Sequence, residues 1–224
     1  MRPQLSSILA AAALSLPLAA RAAPTGPACH CFNDRTYDAA RPSAADPYIL
    51  ATTRSSLLSA AYGVPKAELV RAVMSGTAAE DLWVAHWAGA RLGRPAGELL
   101  DAKASAGSWK AALASTGAGM EKLGKTFGAQ LARGANEAQL AALAVDDVLA
   151  TRLGADPAAL GKLRAAGAGT EEAILCTVLA GKLGTAPAAL LARVRAGKAT
   201  WGSTVQAAGL TPKGLDGLVR QSVR

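Results

Sequence analysis

The chain has few aromatic and β-branched residues, and this scarcity argues against a β-sheet protein. Aromatic residues are 4% of the 224 positions, whereas 51% of the residues are hydrophobic and alanine and leucine dominate. Those two residues favour helices, and 23 glycines and 11 prolines supply turns between them. The composition therefore predicts an all-α fold.

Histidine is almost absent, which restricts the catalytic sites that the chain can form. A Ser–His–Asp or Cys–His site would have to use His30 or His86, and no spacing favours either one. The adjacent pairs Asp146-Asp147 and Glu171-Glu172 are expected at helix starts, where the helix dipole favours acids. We therefore expect a non-enzymatic protein without a cofactor, and a hydrolase with an unidentified site stays an alternative.

No apolar run after the first two dozen residues is long enough to span a membrane. Arg2 precedes an apolar stretch from Leu5 to Ala20, and Ala20–Ala23 has the small residues that a signal peptidase requires. The stretch is too short for a permanent anchor. We expect residues 1–22 to be a cleaved signal peptide, and the mature protein to be periplasmic or secreted with no transmembrane anchor.

Glycine and proline recur with a regular spacing along the rest of the chain. A glycine that follows a leucine or tyrosine is followed two or three residues later by a proline, at Gly63/Pro65, Gly93/Pro95, Gly154/Pro157 and Gly184/Pro187. A left-handed glycine closes a helix, and a proline suits the first turn of the next. The pattern predicts tandem helix–turn–helix units of about 30 residues. Thr77, Asn136 and Thr170 are expected to cap helices of these units.

A longer offset relates the two halves of the chain. Gly154 lies 91 positions after Gly63, and Trp201 lies 92 positions after Trp109. We therefore predict a duplicated two-unit block, with both tryptophans in the core. The expected segments are an irregular arm at 23–48, a first helical block at 49–118, a degenerate connecting unit at 119–140, and a second block with a basic tail at 141–224.

One unit closes with a Gly-x-Trp element, Gly107-Ser108-Trp109. In this element the chain resembles secreted bacterial helical-repeat proteins that have no known activity. The resemblance covers about two thirds of the chain. It implies a helical-repeat fold and no site residues.

The arm contains two of the three cysteines, Cys29 and Cys31. In an oxidising compartment two cysteines should pair. We expect a disulfide between Cys31 and Cys176, with Cys29 as the alternative partner of Cys176. A bridge between Cys29 and Cys31 would close a small, strained ring, and free or intermolecular thiols are the remaining alternatives.

The same segment supports a second hypothesis, a periplasmic protein that handles thiols or metals. Cys29, His30 and Cys31 are ligand types that suit copper(I) or zinc. The spacing differs from the usual C-x-x-C, and three adjacent residues cannot complete a coordination shell. Metal binding at these residues would need further ligands such as Asp34 or His86.

A second candidate site lies on a helix expected at 82–92. Trp83 and Trp87 are four residues apart and share a face, and His86 borders that face. One interpretation is a ligand pocket with a titratable group. The other interpretation is a histidine at a packing seam.

Positive charge is distributed along the whole chain, and removing residues 1–22 lowers the formal net charge from +8 to about +6. Such charge suits an anionic envelope component or an acidic protein partner. Export and the few aromatic residues disfavour nucleic acid. The sequence thus predicts an exported binding or scaffolding module whose ligand it does not name. The basic residues concerned are Lys122, Lys125, Arg133, Lys162, Arg164, Arg193, Arg195, Lys198, Arg220 and Arg224.

Overall fold

The computed structural model describes residues 32–117 and 119–224, and this part of the chain is all-helical. It contains twelve α-helices, one short 3-10 helix and no β-strand. The predicted all-α class is confirmed. The helices are α1 (Asp46–Tyr62), α2 (Lys66–Met74), α3 (Ala79–Leu92), α4 (Ala96–Ala106), α5 (Trp109–Ser115), α6 (Lys125–Ala132), α7 (Glu137–Leu153), α8 (Pro157–Ala165), α9 (Thr170–Leu183), α10 (Pro187–Arg195), α11 (Trp201–Ala207) and α12 (Pro212–Ser222), and the 3-10 helix is Met120–Leu123.

Glycines end four of the longer helices. Gly63, Gly93, Gly154 and Gly184 follow α1, α3, α7 and α9, and each adopts a left-handed conformation with φ between 60° and 70°. A residue with a Cβ would be strained in this conformation. The glycine therefore stops each helix, and the chain turns into a shorter helix a few residues later.

The starts of the helices agree only in part with the sequence-based assignment. Asn136 caps α7 as predicted, in a reciprocal capping box with Gln139. The predicted caps at Thr77 and Thr170 are wrong. The residue before α3 is Ala78, which has no side-chain cap, and Thr170 is already the first residue of α9.

The core forms where long helices from the two halves of the chain pack in pairs. Helix α3 packs on α7, α9 packs on α1, and α12 also covers α1. Helix α1 is buried on most sides although it carries polar residues. Thr53 and Ser55 donate their hydroxyl hydrogens to carbonyls one turn earlier in α1, and these bonds satisfy the hydroxyl groups inside the protein.

The two repeated tryptophans lie in the core, as predicted. Trp109 is 2% exposed and Trp201 is 3% exposed.

Residues 32–45 contain no helix. This segment and the first residue of α1 contact the start of α11. Pro42 accepts a hydrogen bond from the hydroxyl of Thr200, and Asp46 accepts one from the backbone N–H of Gly202.

Within the described residues, no single helix is long and apolar enough to cross a membrane. By length and composition alone, α9 and α10 together pass that test, although a bend of 114° separates them.

Candidate anion-binding cleft

Helix α3 places a series of large side chains along one face. Trp83, Trp87 and Arg91 follow at intervals of four residues, so they lie one above the other on the helix. Trp83 is fully buried, and its indole Nε1 has no hydrogen-bond partner among the described residues. Trp87 is 4% exposed and donates its indole hydrogen to Asp147 Oδ2 over 3.0 Å.

His86 lies beside this series and packs against the end of α1. Its ring stacks on Tyr62 with the centroids 5.9 Å apart, and Tyr62 contacts Trp83 edge-on at 6.3 Å. Burial lowers the pKa of His86, so the imidazole is neutral at pH 7. Burial first, and then the charge of Asp147, raise the pKa of Tyr62. His86, Trp83 and Tyr62 thus form a packed aromatic cluster at the contact of α3 with α1.

The acidic pair on α7 does not lie where the sequence suggested. Asp146 and Asp147 are in the middle of α7 and not at its start, so the predicted helix-dipole role is wrong for them. Asp146 binds Arg164 of α8 with both carboxylate oxygens. Asp147 accepts hydrogen bonds from Trp87 and Arg91 of α3, and it therefore joins α7 to α3.

Next to Asp147, the helices α3, α6 and α7 enclose a cleft of about 260 Å³, which we call the α3–α6–α7 cleft. Trp87 and Phe127 form part of its apolar floor, with their ring centroids 4.4 Å apart. Leu123 and Leu143 complete that floor. The Arg91 guanidinium stacks over the ring of Trp87, with Cζ 4.4 Å from the ring centroid.

The rim of the α3–α6–α7 cleft is strongly positive. Lys122 and Lys125 are exposed, and neither has a carboxylate partner among the described residues. Arg91 supplies a third cation, and Asp147 is the one acidic residue of the lining. The formal charge of the lining is therefore +2.

The backbone adds donors at the same rim. Helix α6 begins at Lys125, and the preceding Gly124 has no side chain with which to cap it. The first backbone N–H groups of a helix lack intrahelical partners and favour an anion. The hydroxyl of Thr126 lies in the same turn and also lines the cleft.

A second, smaller cavity of about 210 Å³ lies between α9, α10 and α11. Arg193 is the charged residue of its lining, together with Thr185, Ser203 and Thr204. With one cation it presents less positive charge than the α3–α6–α7 cleft. It is a weaker candidate for the binding of an anion.

The cysteine site predicted from the sequence lies largely outside the described residues. Cys29, His30 and Cys31 fall there, so the disulfide and the metal site stay predictions. Cys176 is fully buried in α9, and burial raises the pKa of its thiol to about 12. No group of three or more His, Cys, Asp or Glu residues suited to a metal ion occurs in the ranges 32–117 and 119–224.

From the sequence, Lys122 and Lys125 were recognisable only as part of a general basic distribution, and neither Arg91 nor the contact of Asp147 with α3 was predicted. The spacing of Arg91 four residues after Trp87 was the signal that could have linked it to the predicted pocket. Other members of the basic distribution form ion pairs within the fold, for example Arg164 with Asp146. No protein-family model, curated protein or solved structure matches this chain.

Proposed function

We propose that this protein is an exported, non-enzymatic binding module that holds a small anionic ligand in the α3–α6–α7 cleft. The observation that carries the proposal is the convergence of Arg91, Lys122 and Lys125 on one cleft that contains a single carboxylate. Like charges that share a cleft repel one another, and a bound anion relieves this repulsion. The unpaired N–H groups at the start of α6 add directional donors.

The charge and the size of the cleft restrict the ligand class. A formal charge of +2 in the lining matches a dianion such as a phosphate monoester better than a monocarboxylate. A volume of about 260 Å³ suits a molecule the size of a small metabolite or one unit of a polymer. Leu143 is only partly buried at the lining and gives the uncharged part of such a ligand an apolar contact.

Calorimetric titration with inorganic phosphate tests the proposal. The wild-type protein should bind phosphate, and the affinity should fall as salt is added, because the contacts are largely electrostatic. A double variant, Lys122→Gln with Lys125→Gln, should lose at least about tenfold in affinity, which corresponds to about 1.4 kcal/mol.

A matched control separates the cleft from the general charge of the protein. Lys162 and Lys213 are also exposed and lack carboxylate partners among the described residues. The double variant Lys162→Gln with Lys213→Gln therefore changes the net charge equally but leaves the cleft intact. Equal loss in both double variants, or no phosphate binding by the wild type, would contradict the proposal.

We also infer that the chain contains an internal duplication. The helix starts support this, since α7, α8, α9 and α10 each begin 91 positions after α1, α2, α3 and α4. In such a duplication α3 corresponds to α9 and α7 corresponds to α1. The packing of α3 on α7 is then repeated by the packing of α9 on α1.

Export rests on the predicted signal peptide at residues 1–22. Amino-terminal sequencing of the secreted or periplasmic protein tests that prediction.

A further inference from the structure

Asp147 is an unexpected residue in a cleft that attracts anions. It lines the α3–α6–α7 cleft and its side chain is 32% exposed. Its carboxylate repels any anion that binds beside Lys122 and Lys125. A simple anion would therefore bind better if this residue were neutral.

The two oxygens of this carboxylate are used differently. Oδ2 accepts hydrogen bonds from the indole of Trp87 and from the guanidinium of Arg91. Oδ1 has no hydrogen-bond partner among the described residues. Oδ2 thus fixes α7 to α3, whereas Oδ1 of this cleft-lining residue accepts no hydrogen bond from the described residues.

We infer that the ligand of the cleft is an anion that also carries hydroxyl groups, of the class of the polyol and sugar phosphates. This inference rests on the proposed function. The phosphate would lie among Lys122, Lys125 and the start of α6, and a ligand hydroxyl would donate to Asp147 Oδ1. A hydrogen bond to a charged acceptor is about twice as strong as one between neutral groups, and it offsets the repulsion that Asp147 causes.

A hydroxyl fits this position better than an ammonium group does. Arg91 already pairs with Asp147, and Lys122 and Lys125 lie on the same rim. A further cation placed there would meet three like charges and only one carboxylate, which Arg91 already pairs with. A neutral donor satisfies Oδ1 without that repulsion.

Two probes of equal charge test the inference, sn-glycerol 3-phosphate and n-propyl phosphate. They share a three-carbon chain and a phosphate monoester and differ in two hydroxyl groups. Calorimetric titration of the wild-type protein should give an affinity about tenfold higher for glycerol phosphate, the size expected for a hydrogen bond to a charged group.

The variant Asp147→Asn assigns the preference to this residue. The amide oxygen can still accept from Trp87 and Arg91, while the amide nitrogen replaces the free acceptor. Removal of the negative charge should strengthen the binding of n-propyl phosphate, and the preference for glycerol phosphate should fall to less than about threefold. Thermal unfolding of the variant shows whether α3 and α7 still pack together.

The outcomes separate this inference from the proposed function. If the wild-type protein binds neither probe, the proposed function fails. If it binds both equally, the proposed function stands and the hydroxyl inference is overturned, whatever the stability of the variant. A tenfold preference that persists in a folded Asp147→Asn protein would overturn the role given to Asp147.

Discussion

Trp109 donates its indole hydrogen to Asp81 over 2.7 Å, although the two residues are 28 positions apart in the chain. Asp81 is 8% exposed, and its other carboxylate oxygen accepts a hydrogen bond from Lys103 at 2.9 Å. This single carboxylate therefore joins the first turn of α3 to α4 and to the start of α5. Trp201, which lies 92 positions after Trp109, has no indole hydrogen bond among the described residues.

Replacement of either tryptophan by phenylalanine should reveal this difference. Trp109→Phe leaves the buried Asp81 with one partner fewer, and an unsatisfied buried polar group costs about 1–3 kcal/mol. Trp201→Phe removes a similar apolar area without breaking a hydrogen bond. The free energy of unfolding in urea should fall by at least about 1 kcal/mol more in Trp109→Phe, and equal losses would show that the hydrogen bond contributes nothing net.

Asp216 should make stability depend on pH in the acid range. Burial raises the pKa of its carboxyl, but hydrogen bonds from Ser56 and Lys66 outweigh burial and lower the pKa to about 2, against 3.8 for the free group. Because the folded-state pKa is the lower one, the stabilisation is complete above about pH 4 and is lost as the pH falls towards 2. Because the carboxyl is largely solvated, screening reduces this stabilisation to about 1 kcal/mol.

Urea unfolding of the wild type and of Asp216→Asn at a series of pH values measures this effect. The difference in unfolding free energy between the two proteins should be constant from pH 7 to about pH 4 and should shrink below that. Other carboxylates titrate in both proteins and cancel in the difference. A difference that stays constant down to pH 2 would show that the pKa of Asp216 is not depressed.

Gly89 of α3 should not tolerate a side chain. A Cβ at this position would lie 2.6 Å from the backbone oxygen of Arg94, where the chain turns back after the helix. Gly89→Ala should therefore destabilise the protein by about 1–3 kcal/mol. The same change at Gly161 of α8 meets no atom within 4 Å, and it should stabilise the protein by up to about 1 kcal/mol because alanine favours a helix. Thermal unfolding of both variants tests the pair, and destabilisation of equal size would show that contact with Arg94 is not the cause.

Cys176 should be unreactive in the folded, reduced protein. It is fully buried, and with a thiol pKa of about 12 it forms almost no thiolate at pH 8. Iodoacetamide should label Cys176 only after unfolding in guanidinium, as peptide mapping would show, and rapid labelling of the folded protein would contradict this burial.

Protein isolated without a reductant tests the predicted disulfide in the same assay. A Cys176 that is bridged to Cys31, or to Cys29, stays unlabelled even in guanidinium and becomes labelled after reduction. Complete labelling without reduction would show that the bridge is absent.

Local chemistry determined much of the fold. The glycines at 63, 93, 154 and 184 end helices because a left-handed conformation requires only the residue itself and its neighbours. Asn136 and Gln139 form their capping box for the same reason, since the partners lie three residues apart. The core position of Trp109 and Trp201 follows from their size and apolar character.

Tertiary structure decided the candidate site. Arg91, Phe127 and Asp147 come from three separate helices, and nothing in their local sequence places them around one cleft. The same holds for the buried carboxylate of Asp81, whose partners lie on α4 and α5. The sequence by itself determined the helical class and the ends of the four helices that stop at glycine, because those choices depend on residues within one or two turns. Only the packing of the helices determined which charges are neutralised inside the fold and which remain free for a ligand, because an ion pair depends on distances between residues that are far apart in the chain.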